Sequence, residues 1–229
     1  MRDVFICDAV RTPIGAFQGT LAKTEAPVLG TEVIRQLLER NSLDGGNVDE
    51  VLMGCILQAG MGQNLARQAA INAGIPVDKT ATTVNMVCGS GLRTVEMAAQ
   101  MIKCEDADVI IAGGAESMTN APYLLKKART GYRMGNGQLL DSMIHDGLTD
   151  IFNNYHMGIT AENIAEKYGI SKEEQDEFAA VSQNKAEKAQ AEGRFRDEIV
   201  PVTIPQRKKD PIVFSEDEYI KKGVTKESV

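Results

Sequence analysis

Six side chains in this sequence are thiols or imidazoles: Cys7, Cys55, Cys88, Cys104, His145 and His156. A thiolate is a strong nucleophile and an imidazole can activate it by taking its proton, so these six define the nucleophilic chemistry open to the chain. The cysteines form no C-x-x-C pair and have no metal-ligand spacing, and no metal site is expected. Cys88 stands apart because of the stretch Val84-Asn85-Met86-Val87-Cys88-Gly89-Ser90-Gly91-Leu92. Before it, Thr80 to Val84 is dense in β-branched residues, which suit an extended strand. After it, Leu92 to Lys103 lacks Gly and Pro and is rich in Ala, Met, Leu and Glu, which predicts a helix. The thiol therefore falls where a strand turns sharply into a helix. Gly89, Ser90 and Gly91 would let the backbone turn tightly and approach a ligand. A helix N-terminus presents unpaired N–H groups and partial positive charge, which favour an anion, but a strong nucleophile still calls for a histidine base.

Out of context, a free cysteine reads as a small buried hydrophobe. That is the reading for Cys7 and Cys55, inside apolar strands, and for Cys104, at a helix end. His145 sits in a charged loop and reads as solvent-facing. His156 precedes a helix and is followed by Met157 and Gly158, a sequence that would suit a ligand channel; by itself such a histidine is more often hydrogen-bonded and structural.

The elements that must position Cys88 alternate. Val4 to Val10 is an apolar run that predicts a strand covered on both faces. Arg11 to Gly15 is a turn, and a helix is expected from about Ala26 to Arg40. Val51 to Leu57 is the next buried strand, and Gly60 to Asn64 opens a short helix running through Ala73. The glycines of that loop lack the third glycine and the ribose-binding acid of a dinucleotide site. Asp108 to Gly114 is a further apolar strand ending in paired glycines. This order predicts an α/β fold with a substantially parallel sheet over residues 1–118.

At about Thr119 the character changes. Residues 1–118 carry 23 charged side chains and residues 119–229 carry 34, while the apolar strand runs disappear, which marks a more solvated second unit. Pro122 to Asp141 reads as a basic loop or hairpin. Thr160 to Tyr168 is helical and stopped by Gly169. Ser171-Lys172-Glu173-Glu174 opens a long helix, as a capping box, to about Glu192. Asp197 to Pro205 looks extended, and Pro201, Pro205 and Pro211 keep the tail from becoming helical.

With 229 residues, 43% of them hydrophobic, the chain can bury a real core. A net charge of −7 and a pI of about 5.0 argue against nucleic acid or an anionic membrane as the main partner. No apolar run reaches transmembrane length, Met1-Arg2-Asp3 does not open a signal peptide, and scattered cysteines suit a reduced, cytoplasmic setting.

The stretch V-N-M-V-C-G-S-G-L-R resembles the nucleophile motif of the thiolases, acyl-CoA acetyltransferases that make or cleave 3-ketoacyl-CoA. Asp8 to Gly15, Gly62-Gln63-Asn64 with Arg67, Ala112 to Met118 and His156-Met157-Gly158 resemble thiolase signatures in the same order. The resemblance spans essentially the whole chain and suits an acetyl-CoA acetyltransferase. It implies a thiolase-like N-terminal half, a mixed β-sheet flanked by helices (residues 1–118), with an inserted charged loop subdomain (residues 119–229) that carries a tetramerisation loop and coenzyme A contacts. It further implies that Cys88 is the acyl-accepting nucleophile, that Leu148, His156 and Met157 line the pantetheine and acyl channel, and that Lys221 and Ser228 contact the nucleotide and pantetheine. Lysine at 221 replaces the bidentate fork of an arginine. Acetyl-CoA and CoA are the implied substrates, with no resident cofactor, and the implied assembly is a homotetramer. The family's histidine base and second cysteine belong to Gly-His-Pro and Cys-x-Gly-Gly-Gly motifs of a second half that these residues do not include. The catalytic apparatus is therefore expected to be split, and His156 is not given the role of base. Two rivals stand beside this reading: a non-catalytic CoA-binding or assembly fragment, and a relative of the ketoacyl synthases.

Overall fold

The computed structural model describes residues 2–229. Its centre is a three-stranded sheet of β1 (Glu50–Gly54), β2 (Thr80–Val84) and β3 (Ile110–Gly114), in the order β2-β1-β3 with both pairings parallel. Val51 and Met53 join a buried cluster with α1 (Ala26–Arg40) and α2 (Leu65–Asn72). Leu52 has the opposite alternation and is equally buried, so it points to the other face, where α3 (Ser90–Lys103) packs on β1 and β3. Ile34, Val48, Val51 and Leu65 are almost completely shielded and form the heart of this core. α1 and α2 meet closely where Gly30 faces Ala69; a Cβ on Gly30 would lie 3.1 Å from the Ala69 Cβ.

The motif Gly62-Gln63-Asn64 with Arg67 fixes β2 to α2. Asn64 caps α2 by accepting from the Arg67 N–H, and its amide donates to the Ala81 carbonyl while Thr83 Oγ1 donates to its Oδ1. The Arg67 guanidinium donates to the carbonyls of Lys79 and Val77. The strand that leads to Cys88 is thereby anchored at both ends of its register.

Beyond β3 the chain forms short antiparallel ladders: β4 (Tyr123–Leu124) with β5 (Leu140–Asp141), β6 (Thr149–Asp150) with β7 (Tyr155–His156), and β8 (Val202–Ile204) with β9 (Ile212–Phe214). Two helices intervene, α4 (Met157–Tyr168), ended by the left-handed Gly169, and α5 (Lys172–Ala191), opened by the expected Ser171/Glu174 capping box. The end of the chain is strapped back to its beginning. Asp217 accepts two bonds from the Arg11 guanidinium, and Glu218 accepts from the Ala16 and Thr20 N–H groups. Arg11 holds the Asp217 carboxyl below its usual range.

The expected first strand does not form. Val4 to Val10 forms no ladder and is not covered on both faces: Phe5 is 78% and Ile6 80% exposed, and Cys7 is exposed with them. The run is fastened at Asp8, which accepts from Asn41 Nδ2 at 3.0 Å and pairs with Arg40, and just beyond its end, where the Arg11 N–H donates to the Glu198 carbonyl and the Val200 N–H to the Arg11 carbonyl. Val10, Arg11 and Thr12 face Ile111 to Gly114 across a cleft of about 220 Å³ instead of pairing with them. An apolar run buries itself only where a neighbouring strand or layer receives it, and none of the described residues does so. Among the described residues no helix is long and apolar enough to cross a membrane.

Candidate active site

β2 ends at Val84, and the next five residues make the turn that presents Cys88. The thiol is exposed. The turn is held by five hydrogen bonds, one of them from the Ser90 N–H to the Val87 carbonyl at 3.1 Å. The Val87 N–H donates to Asn85 Oδ1 at 3.0 Å, and the Gly89 N–H to the Met86 carbonyl at 3.2 Å. The Met86 N–H donates to Ser90 Oγ at 2.8 Å, and that same hydroxyl donates to the Val87 carbonyl at 2.6 Å.

The sharp point of the turn is not a glycine. Val87, directly before Cys88, has φ +49°, whereas Gly89 has φ −85° and Gly91 already lies in the helix. A β-branched residue in the left-handed region is a genuine outlier that costs roughly 1–3 kcal/mol and persists only where its surroundings impose it. Of the two glycines expected to bend the chain, Gly91 serves another end, a contact it shares with Gly54 and Gly114. β1 and the first turn of α3 come so close that a Cβ on Gly54 would lie 2.7 Å from the Gly91 nitrogen and from the Ser90 carbonyl carbon and Cβ. Gly114 presses on the same place, 3.5 Å from the Gly91 Cα by the same construction. Thr94, one turn further on and fully buried, bonds to the carbonyls of Gly91 and Gly113. The N-terminus of α3 is thus seated directly on the sheet. Its first intrahelical bond runs from Arg93 to Gly89, and the Gly91 and Leu92 N–H groups before it have no acceptor among the described residues.

A second cysteine occupies the adjacent strand end. Cys55 follows β1 directly, its N–H donating to the Val84 carbonyl at 3.0 Å. It is only 1% exposed, and its thiol donates to Glu116 Oε1 at 3.3 Å. Burial first, then the neighbouring carboxylate, push the Cys55 thiol up to about 12. Glu116 also accepts from the Ile56 and Leu57 N–H groups at 2.9 and 3.1 Å. Asn85 and Glu116 hold the two cysteine-bearing turns. Nothing in the composition distinguished their roles; the signal available was that each is a polar residue inside a glycine-rich or apolar strand end, where its side chain must find local partners.

The other expected site residues lie in the second part of the chain. His156 is exposed and caps α4, its Nδ1 accepting from the Gly158 N–H at 2.9 Å. Met157, next to it, is 38% exposed, and Leu148 is half-buried at the end of a π-helical turn, Met143–Leu148. His145, in the same turn, approaches Lys126 Nζ at 3.4 Å. Among the described residues no hydrogen bond joins Cys88 to either histidine. Lys221 and Ser228 are exposed on the final segment. The Lys221 N–H donates to Gln183 Oε1 and Ser228 Oγ donates to the Thr225 carbonyl, which fix that segment against α5 and against itself. Cys104, read from the sequence as a buried hydrophobe, is instead exposed, because it is the C-cap residue at the end of α3. No group of three or more His, Cys, Asp or Glu that could hold a metal occurs among the described residues.

The fold and this turn define an α/β protein that presents an exposed thiol at a helix N-terminus on the C-terminal edge of a parallel sheet. The chain belongs to the thiolase family: the model of the thiolase N-terminal domain matches residues 4–229. An acetyl-CoA acetyltransferase of Pseudomonas aeruginosa is 59% identical over 229 residues, which are all of this chain and 58% of that relative. One from Cupriavidus necator is 55% identical over the same span, again 58% of its length. The crystal structure of the Bacillus anthracis acetyl-CoA acetyltransferase superposes with a TM-score of 0.93 at 40% identity, covering 97% of this chain and 56% of that one. The chain thus spans little more than half the length of the relatives it matches.

Proposed function

We propose that residues 1–229 are the nucleophile-bearing part of an acetyl-CoA acetyltransferase. The observation that carries this reading is the exposed Cys88 thiol on a braced turn before a helix whose Gly91 and Leu92 N–H groups are unpaired among the described residues. In the forward reaction the Cys88 thiolate attacks the acetyl-CoA carbonyl, a thioester to Cys88 forms, and the C–S bond to coenzyme A breaks with release of the CoA thiolate. The enolate of a second acetyl-CoA then attacks the acyl-cysteine, giving acetoacetyl-CoA and returning the thiolate; thiolysis is the reverse. Unpaired N–H groups near the reacting carbonyl suit a developing oxyanion. Leu148, His156 and Met157 are proposed to line the acyl and pantetheine path, and Lys221 and Ser228 to meet the nucleotide end and the pantetheine. His156 spends its Nδ1 on the α4 cap, in keeping with a lining role and not with that of the base.

Coenzyme A esters are substrates in this reading, no resident cofactor is needed, and the setting is cytoplasmic. Residues 119–229 act as the loop subdomain, and the assembly is a homotetramer. Leu92, 78% exposed on α3, with Phe5 and Ile6 on the unpaired N-terminal run, offers apolar surface for self-association.

The test is thiolysis of acetoacetyl-CoA by the 229-residue polypeptide, alone and mixed with the second half of a relative. A general base contributes about 10²–10⁴-fold, so the polypeptide alone should turn over at a small fraction of the mixed rate. Turnover in the mixture should vanish with Cys88→Ala. Full activity of the polypeptide alone would overturn the split site. A mixture that is folded and associated yet inactive would favour a CoA-binding or assembly role.

A further inference from the structure

Ser90 is the one side chain that touches both ends of the Met86–Val87 unit, accepting from the Met86 N–H and donating to the Val87 carbonyl. It is 4% exposed, which keeps water from the hydroxyl; the Val87 carbonyl also accepts from the Ser90 N–H at 3.1 Å, while the Met86 N–H has the hydroxyl as its acceptor. Its own place is fixed from behind, because it packs against Gly54 where no Cβ could fit. The residue it clasps is the left-handed Val87, and the residue that follows is the nucleophile. A valine would leave this conformation if released, since its branched Cβ crowds the carbonyl there.

We infer that Ser90 is a positioning residue for the nucleophile: its hydroxyl holds Val87 in the left-handed conformation and so keeps the Cys88 sulfur at the start of α3. Ser90 does not itself meet the substrate. This rests on the reading of Cys88 as the acyl acceptor, but the conformational part is independent of it. If the hydroxyl works by restraining a residue that resists its conformation, a residue that does not resist should make it dispensable. Glycine at 87 is such a residue.

The experiment measures iodoacetamide alkylation of Cys88 near neutral pH in the 229-residue polypeptide. The exposed Cys7 and Cys104 serve as internal references and the buried Cys55 reports on the fold. Ser90→Ala should slow Cys88 about threefold to thirtyfold relative to the references, the span expected when a thiolate loses the favourable field of a helix N-terminus. Val87→Gly should react like the parent, and Val87→Gly/Ser90→Ala should return to within about threefold of it. If Ser90→Ala alone makes Cys55 reactive and so has lost its fold, the two Val87→Gly proteins still decide, because the hydroxyl should matter little between them. Equal losses from Ser90→Ala in both backgrounds, or no loss in the parent background with Cys55 protected, would overturn the inference. The same four proteins are then incubated with acetyl-CoA. The maximal acetylation rate of Cys88 should follow the alkylation pattern while the half-saturating concentration stays constant. Alkylation that follows the pattern with no acetylation in any protein would reject the acyl-acceptor reading and keep the Ser90 assignment.

Discussion

Cys55 and Cys88 leave neighbouring strands of one sheet at the same edge, and they end in opposite chemical states. Cys55 is sealed in, its thiol given to a carboxylate that also ties down the next two N–H groups. Cys88 stands in solvent on a turn that uses every nearby side-chain bond for its own backbone and leaves the thiol unbonded. The edge of a parallel sheet supplies a place for chemistry, but burial and the charge of the nearest partner decide whether a thiol there reacts. A carboxylate at hydrogen-bond distance silences a thiol as effectively as a cationic partner would rouse it.

The largest consequence is kinetic. With its thiol pushed up to about 12, Cys55 is almost entirely protonated near neutral pH and is also out of reach. Cys88 should therefore be alkylated about 10³-fold faster than Cys55 or more, on the thiolate dependence of the reaction. Peptide mapping over a time course checks this, and comparable rates would erase the contrast.

The contrast depends on the close seat of α3 on β1, and Gly54→Ala attacks it directly. The added Cβ would meet backbone atoms at 2.7 Å, which can move only by displacing the helix start. A loss of about 3 kcal/mol in urea unfolding is expected, the upper part of the usual range for overpacking, together with altered Cys88 reactivity. A Gly54→Ala protein of unchanged stability would show that the seat is looser than described.

Glu116→Gln sharpens the comparison from the other side. It keeps one oxygen acceptor, removes the charge beside Cys55, and leaves a buried N–H without its partner, at a cost of about 2 kcal/mol. The Cys55 thiol should then ionise at lower pH. The sign for the parent follows from linkage. The folded state holds the Cys55 proton more tightly than the unfolded chain, so this contribution to stability is present below pH 9.0 and is lost as pH rises from there towards about 12. In Glu116→Gln that alkaline loss should shrink. Unfolding curves across this window measure it.

The smallest effect separates the histidine from the thiol. His156→Ala removes the α4 cap and should cost about 1 kcal/mol or less. Cys88 alkylation should stay within about twofold of the parent, since no bond links the two. A large drop would mean that His156 reaches Cys88 after all.

Most of the fold was legible because its signals are local. Ala26 to Arg40 carries its own helical period, Ser171 and Glu174 write out a capping box, and Thr80 to Lys103 states strand, turn and helix in order. Val4 to Val10 misled because its apolar pattern says only that the run can be buried, not what will bury it. The place of Cys88 on a strand-to-helix turn was legible from its context, but the division of labour around it was not. Gly89 and Gly91 suggested a glycine at the bend, whereas the bend falls on Val87 and Gly91 serves the contact of α3 with β1 and β3. That contact joins residues some 40 positions apart in sequence, and no local pattern encodes it. The same holds for Glu116, which finds Cys55 across 61 residues.

Transfer of an acetyl group tests the central claim most directly. The 229-residue polypeptide is incubated with acetyl-CoA, quenched in acid and mapped by peptide mass spectrometry, with Cys88→Ala alongside. One acetyl group should appear on the peptide carrying Cys88, well ahead of Cys7 and Cys104, and never on Cys55 in folded protein. Acetylation spread evenly over the three exposed cysteines, or found first on any thiol other than Cys88, would show that the braced turn before α3 confers no special reactivity.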